Sequence, residues 1–314
     1  AEAAAAAFGW KVLLVDLDAQ ASASYALCGD ANYREAVADE RTLATFFDRI
    51  AAGARPEPLG PYVTPALVHD SSERIDVICS EPALRYAERA LIERYYQLRM
   101  KRVVTASAPE GQTRRIMRNG LAAFDEHYDL IVLDCPPGIS IFAEAGVACS
   151  DLVVMPSIPD YLSTLGLREL NEKFLRQLSR DGNLHGRTAI LRTKVQGANA
   201  IHKKYLRELE AMAGSTDFDT LLIGTTISQS ADIARAIDSD RQGDAFNDKY
   251  KGMRDDLIAY AEEIKGLLED VVADRERAAE ERATQERARQ DRGSQDRGNQ
   301  ERGNQDGDAR SSAA

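Results

Sequence analysis

The chain has 314 residues, of which 44% are hydrophobic and 29% charged, with a formal net charge of −11. That length and apolar content provide for one large α/β domain or two small ones with a sizeable core. The acidic balance excludes a uniformly basic nucleic-acid-binding surface, so any DNA contact must come from a local basic patch.

In chain order, residues 3–10 read as the last turns of a helix, with Gly9 near its end. The chain has no initiator Met, and it is expected to begin inside an element whose first part lies upstream. Lys11-Val-Leu-Leu-Val-Asp16-Leu-Asp18-Ala-Gln20 follows. Its run of four apolar residues ending in a carboxylate is the pattern of a strand buried on both faces of a parallel sheet. The same pattern recurs at Tyr128-Asp-Leu-Ile-Val-Leu-Asp134-Cys-Pro-Pro137. Each Asp then falls at the carboxyl end of its strand, the edge where open α/β sheets hold ligands. Candidate strands are 12–18, 75–80, 130–134, 152–156, 189–195 and 220–227. Between them lie helical stripes. One carries Leu84, Ala87, Leu91, Ile92, Tyr95 and Leu98. Another carries Leu162, Leu165, Leu170, Phe174 and Leu178, opened by Pro159-Asp160. Shorter stripes follow at Tyr205, Leu209 and Met212 and at Leu257, Ala261, Ile264, Leu268 and Val271. Strands alternating with helices predict an α/β fold with a mostly parallel sheet flanked by helices.

Residues 53–70 hold four of the ten prolines and little periodicity, and read as a surface excursion. After Val272 no Val, Ile, Leu, Met, Phe, Tyr or Trp appears. A body over 1–272 and a charged tail over 273–314 are therefore expected. The tail should be partly helical to about residue 290, then disordered through repeats of the type Gln-Asp-Arg-Gly-Ser. The four cysteines, Cys28, Cys79, Cys135 and Cys149, lie far apart, without metal-ligand spacing or a disulfide framework. They read as buried free thiols of a reducing cytoplasm. No apolar run reaches the ~18–20 residues of a membrane helix.

The two carboxylate-ended strands resemble those of the ParA/MinD family of P-loop ATPases, and the chain looks closest to its chromosome- and plasmid-partition branch. Val12 to Gln20 is similar to the family's second motif, and Leu130 to Pro137 to its Walker B strand with a Pro-Pro turn. Asp151 to Pro156 with Leu165 to Leu170 looks like the next strand and helix. The resemblance implies ATP and Mg²⁺ as cofactors. Asp16 and Asp134 would hold the waters of Mg²⁺, an ion that prefers octahedral oxygen ligation. Asp18, two residues past Asp16 and on the same face if the strand continues, would orient the attacking water. The competing reading of Asp16 and Asp134 is a cap on the next helix or turn. Pro159, Asp160, Thr193 and Lys194 are candidates for the adenine slot, with an exposed loop the alternative for the last two.

The sequence departs from the family pattern. Position 19 is Ala where Pro is usual, and no Gly-Lys-Ser or Gly-Lys-Thr occurs in residues 1–314. The phosphate loop and its strand, by resemblance the central one, are expected upstream of residue 1. Residues 1–314 alone are therefore expected to be inactive and marginally stable. The family also implies an ATP-dependent homodimer, non-specific DNA binding, a stimulating partner protein, and a cytoplasmic location with nucleoid association. Lys203, Lys204 and Arg207, within about one helical turn, are the candidate DNA contacts; a solvated helix face is the alternative. Arg94, Arg99, Lys101 and Arg102 flank an apolar stripe and read as snorkelling side chains. Arg114, Arg115 and Arg118 form a third cluster. The apolar-poor tail argues against a membrane-binding helix. The leading expectation is a ParA-type partition ATPase; the alternative is a non-hydrolysing scaffold relative, which a degenerate upstream loop would favour.

Overall fold

The computed structural model describes residues 1–67, 74–101, 108–215, 218–238, 241–277, 280, 281 and 284. By contact the chain divides into Ala1–Lys265 and Gly266–Ala314. In the second unit residues 266–277 are helical, and the Gly-containing repeats of the tail lie outside the described residues, as does Arg102.

The first unit begins with helix α1 (Glu2–Phe8), closed by Gly9 at φ 65°, a left-handed conformation that glycine adopts without a Cβ penalty. Strand β1 (Lys11–Asp16) leads into α2 (Ser22–Ala38) and α3 (Leu43–Ala52), then β2 (Val63–Pro65), β3 (Arg74–Ile78), α4 (Leu84–Met100) and α5 (Pro109–Ala122). Next come β4 (Leu130–Asp134), α6 (Ile141–Cys149), β5 (Leu152–Ser157), α7 (Tyr161–Leu170), a π-helical turn at Asn171–Leu175 and α8 (Arg176–Arg180). The unit continues through β6 (Arg187–Val195), α9 (Ala200–Ala213), β7 (Leu221–Ser228), α10 (Ala231–Arg235) and α11 (Phe246–Lys249). Residues 254–265 are helical and end the unit.

The strands form two ladders, β2-β3-β1-β4 and β5-β6-β7. All pairings are parallel except the short antiparallel β2–β3 pair. The α/β class expected from the alternating pattern is therefore the observed one. Alternation along β1 explains the layering, because successive side chains point to opposite faces. Leu13 and Val15 pack with Phe46 and Phe47 of α3, Leu84 of α4, Met117 of α5 and Phe142 of α6. Val12 and Leu14 pack on the other face with Ala4 and Ala5 of α1, Leu27 of α2, and Ile75 and Val77. Around the second ladder, Met155 and Ile190 pack with Leu167, Phe174, Leu178 and Leu209.

Two expectations are corrected. The proline-rich stretch from residue 53 is not simply a surface excursion. Leu59 and Tyr62 are buried, and Val63–Pro65 pairs with β3. Pro65 stands at the end of this edge strand, where its missing N–H costs no central ladder bond. On α7, Leu162 and Leu165 face outward, at 75% and 42% exposure, while Leu167 takes the core position. The buried positions Thr164, Leu167, Asn171, Phe174 and Leu178 follow one face at helical spacing, and Leu162 and Leu165 stand off that face.

Candidate metal and nucleotide site

In the β1–β4 ladder the paired residues run from Val12 opposite Leu130 to Asp16 opposite Asp134. Neighbouring strands lie about 4.8 Å apart, so the two acids stand side by side at the carboxyl edge. The ladder extends one residue further: Leu17 N–H donates to the Asp134 carbonyl at 2.8 Å. This bond fixes the register at the acids themselves.

Asp16 is fully buried. Its Oδ1 accepts the Asp18 N–H at 3.0 Å, and its Oδ2 accepts the Ser24 N–H at 2.9 Å and the Ser24 hydroxyl at 2.7 Å. Ala21, at the N-cap of α2, has φ 54° and no side-chain cap. Asp16 supplies the missing acceptor from the end of β1, so the capping role weighed from sequence is observed. A carboxylate offers about four lone-pair sites, so three accepted bonds leave it room for one more partner. The Ser24 hydroxyl also accepts the Ser80 N–H at 2.9 Å, tying α2 to the end of β3. Ser24 was not legible as a site residue, because it lies in a run of Ala and Ser without a motif of its own.

The strand ends at Asp16, so the same-face argument for Asp18 does not hold. Asp18 instead sits in the turn that follows, where its Oδ1 accepts the Gln20 N–H at 2.9 Å and its carbonyl accepts the Ala21 N–H at 2.9 Å. This turn still holds Asp18 beside the Asp16 carboxylate, through the Asp18 N–H bond.

The carboxyls of Asp16 and Asp134 are both perturbed. Burial pushes the Asp16 carboxyl up, against the pull of the Ser24 and Asp18 hydrogen bonds. Asp134 has an exposed side chain, yet desolvation around its carboxyl, then the charges of Asp16 and Asp18, push it up to about 6. A bound cation would reverse that electrostatic penalty. The donors are carboxylate oxygens, which suit a hard ion such as Mg²⁺. Among the described residues no three acidic, His or Cys side chains converge closely enough to hold an ion by themselves.

The other candidates fall at the carboxyl edge of the second ladder. Ser157 pairs with Arg192, so the segments after β5 and at the end of β6 are neighbours. Pro159 is buried, and the Asp160 carboxylate is engaged as the N-cap of α7, accepting the Ser163 N–H at 2.8 Å. Lys194 is exposed and has φ 51°, next to a register shift in the β6–β7 ladder. Lys203, Lys204 and Arg207 are exposed on α9, with Lys204 Nζ 5.0 Å from the Tyr205 ring centre. The remaining basic cluster is partly engaged. Arg114 pairs with Glu144, and Arg118 donates to the Ala148 carbonyl at 3.4 Å.

A family model described as an AAA domain, AAA_31, matches residues 2–184. The cell division protein PomZ of Myxococcus xanthus is 28% identical over 251 residues, covering 80% of this chain and 67% of that protein. A ParA family protein of Mycoplasma genitalium is 27% identical over 108 residues, covering 34% and 39%. The chain spans 40% of the length of the Pseudomonas putida relatives it matches. Among solved structures, apo McdA of Cyanothece superposes with a TM-score of 0.57 at 15% identity, covering 86% of this chain and 94% of that one. A cobyrinic acid a,c-diamide synthase of Mycobacterium smegmatis with bound ADP and magnesium gives 0.53 at 18% identity, covering 83% and 82%. At such identities these likenesses establish the fold and leave the reaction open. Sequence and fold together carry one conclusion: the chain belongs to the AAA domain family AAA_31 and is a member of the ParA/MinD family.

Proposed function

We propose that the protein is a ParA-type ATPase that partitions DNA or another cargo. The observation that carries this reading is the in-register pairing of Asp16 with Asp134, with Asp18 hydrogen-bonded beside them. Asp16 and Asp134 would hold Mg²⁺ through its waters, Asp16 with the oxygen capacity its three accepted bonds leave. Bound Mg²⁺ would supply bridging and charge neutralisation at the phosphate oxygens. Asp18 spends Oδ1 on the Gln20 N–H, and its Oδ2 would serve as the proton acceptor for a water. Thr193, Lys194, Pro159 and Asp160 line neighbouring strand ends and are the proposed adenine edge. The body is drawn as 1–272 and the tail as 273–314, as composition suggests.

ATP-dependent homodimerisation is supported by the three exposed apolar side chains Tyr161, Leu162 and Leu165 on one stretch of α7. Exposed Lys203, Lys204 and Arg207 support non-specific phosphate contacts. A cytoplasmic, nucleoid-associated protein stimulated by a partner completes the reading. No helix among the described residues is long and apolar enough to cross a membrane.

The test uses the full-length protein. Asp18→Ala is expected to lower ATP turnover by about 10²-fold or more, the scale of a lost positioned acid–base group, while ATP affinity holds. Unchanged turnover would remove Asp18 from the reaction, and absence of turnover in the wild type would favour the non-hydrolysing scaffold. Lys203→Glu with Lys204→Glu is expected to weaken DNA binding at low salt and flatten the salt dependence, each phosphate contact contributing roughly 0.9 to the log–log slope. An unaltered slope would move the contact elsewhere.

A further inference from the structure

Cys28 and Cys79, distant in sequence, meet in the fold. Their Sγ atoms lie 3.5 Å apart, both residues are fully buried, and both thiols are free. The pair stands outside the carboxylate site but adjoins it. Ser24 and Cys28 are four residues apart in the first part of α2 and share a helix face. Ser80 directly follows Cys79, and the Ser24 hydroxyl accepts the Ser80 N–H while donating to Asp16. The start of α2 and the end of β3 are thus already joined by a polar rung, with the sulfur pair as a second rung beside it.

The backbone around Cys28 departs from helical geometry on both sides. Ala21 at φ 54° precedes this part of α2, and Gly29 at φ 70°, ψ 167° interrupts the helix immediately after Cys28. These two breaks bracket the segment of α2 that carries Ser24 and Cys28. A disulfide requires S–S of about 2.05 Å, so the sulfurs must close by roughly 1.5 Å, a local movement.

We propose that Cys28 and Cys79 are a redox modification site, oxidised by a hydroperoxide to an intramolecular disulfide that staples the first part of α2 to the end of β3. One thiol loses its proton and its sulfur attacks a peroxide oxygen. The O–O bond breaks, a sulfenic acid forms, and the departing hydroxide leaves as water with that proton. The second sulfur then attacks the sulfenic sulfur. The S–S bond forms, the S–O bond breaks, and hydroxide leaves as a second water with the second thiol's proton. Two electrons pass from the sulfurs to the peroxide, and the sum is two thiols and hydrogen peroxide giving a disulfide and two waters. The bond closes a loop between residues 51 positions apart, and it holds Ser24 against Asp16.

The test uses the full-length protein carrying Cys135→Ser and Cys149→Ser, which leaves the buried pair intact. The protein is treated with hydrogen peroxide, denatured, alkylated and analysed by intact mass and non-reducing peptide mapping. The expected result is loss of both alkylatable thiols, a mass lower by two hydrogens, a Cys28–Cys79 cross-linked peptide, reversal by dithiothreitol, and a Tm higher by roughly 5 °C or more. Thiols that stay alkylatable, sulfinic acid in place of the cross-link, or bridges only between molecules would each overturn the proposal.

Discussion

β1 and β4 have nearly the same sequence, Val-Leu-Leu-Val-Asp and Leu-Ile-Val-Leu-Asp, and very different surroundings. β1 is hydrogen-bonded on both sides, to β3 and β4, and its four apolar residues are all buried. β4 has one partner among the described residues, and its four apolar residues are only partly buried. The same contrast holds for the acids that end them: Asp16 is fully buried and accepts bonds from Ser24 of α2 and from Asp18, while Asp134 is exposed. A carboxylate-ended apolar run therefore specifies a strand and the acid at its carboxyl edge, while the neighbours decide how much energy the run contributes. At the site this gives a rigid acid and a freer one, side by side.

The contrast can be broken most sharply in the core. Leu13→Ala in β1 removes a fully buried side chain and is expected to destabilise the protein by about 3–5 kcal/mol, whereas Leu133→Ala in β4 should cost less than about 2 kcal/mol. Urea unfolding of the two variants checks this, and equal losses would mean that β4 is as enclosed as β1. The acids come next. Asp16→Asn places an amide against the Ser24 N–H and is expected to cost about 1–3 kcal/mol. Asp134→Asn removes like-charge repulsion without losing a bond and is expected to be neutral or stabilising at pH 7.

The pH dependence sharpens the same difference. The Asp134 carboxyl sits at about 6 in the folded protein against an ordinary value of 3.8. The folded state thus binds the extra proton more readily than the unfolded chain. Its contribution to stability is fully present below 3.8 and is lost as pH rises through about 6. The gap in Tm between Asp134→Asn and wild type should therefore widen in the variant's favour from pH 4 to pH 7. A gap that stays constant would show that Asp134 titrates as it does in the unfolded chain.

Much of this was legible because it rests on strong local signals. Four apolar residues before Asp16 and before Asp134 announced parallel strands, fully buried in β1 and only partly in β4, and Gly9 announced the end of α1. The helix stripe from Leu84 to Leu98 announced the core face of α4. What escaped depends on tertiary partners. Val63–Pro65 is too short and too proline-rich to signal a strand, and it forms one only because β3 offers an edge. Leu162 and Leu165 turn outward because the core takes the neighbouring face of α7, held by Thr164 and Leu167. The place of Asp18 depends on where β1 stops, and the bond from Ser24 to Asp16 and the meeting of Cys28 with Cys79 span residues that only the fold brings together.

The central claim is that Asp16 and Asp134 together face one divalent ion and its nucleotide. Crystals of the full-length protein grown with Mn²⁺ and a non-hydrolysable ATP analogue would test it most directly, through the anomalous signal of manganese. The manganese peak is expected at the paired carboxyl ends of β1 and β4, bridged by water or phosphate oxygen to both acids. A peak at any other group of side chains, with nucleotide bound, would contradict it.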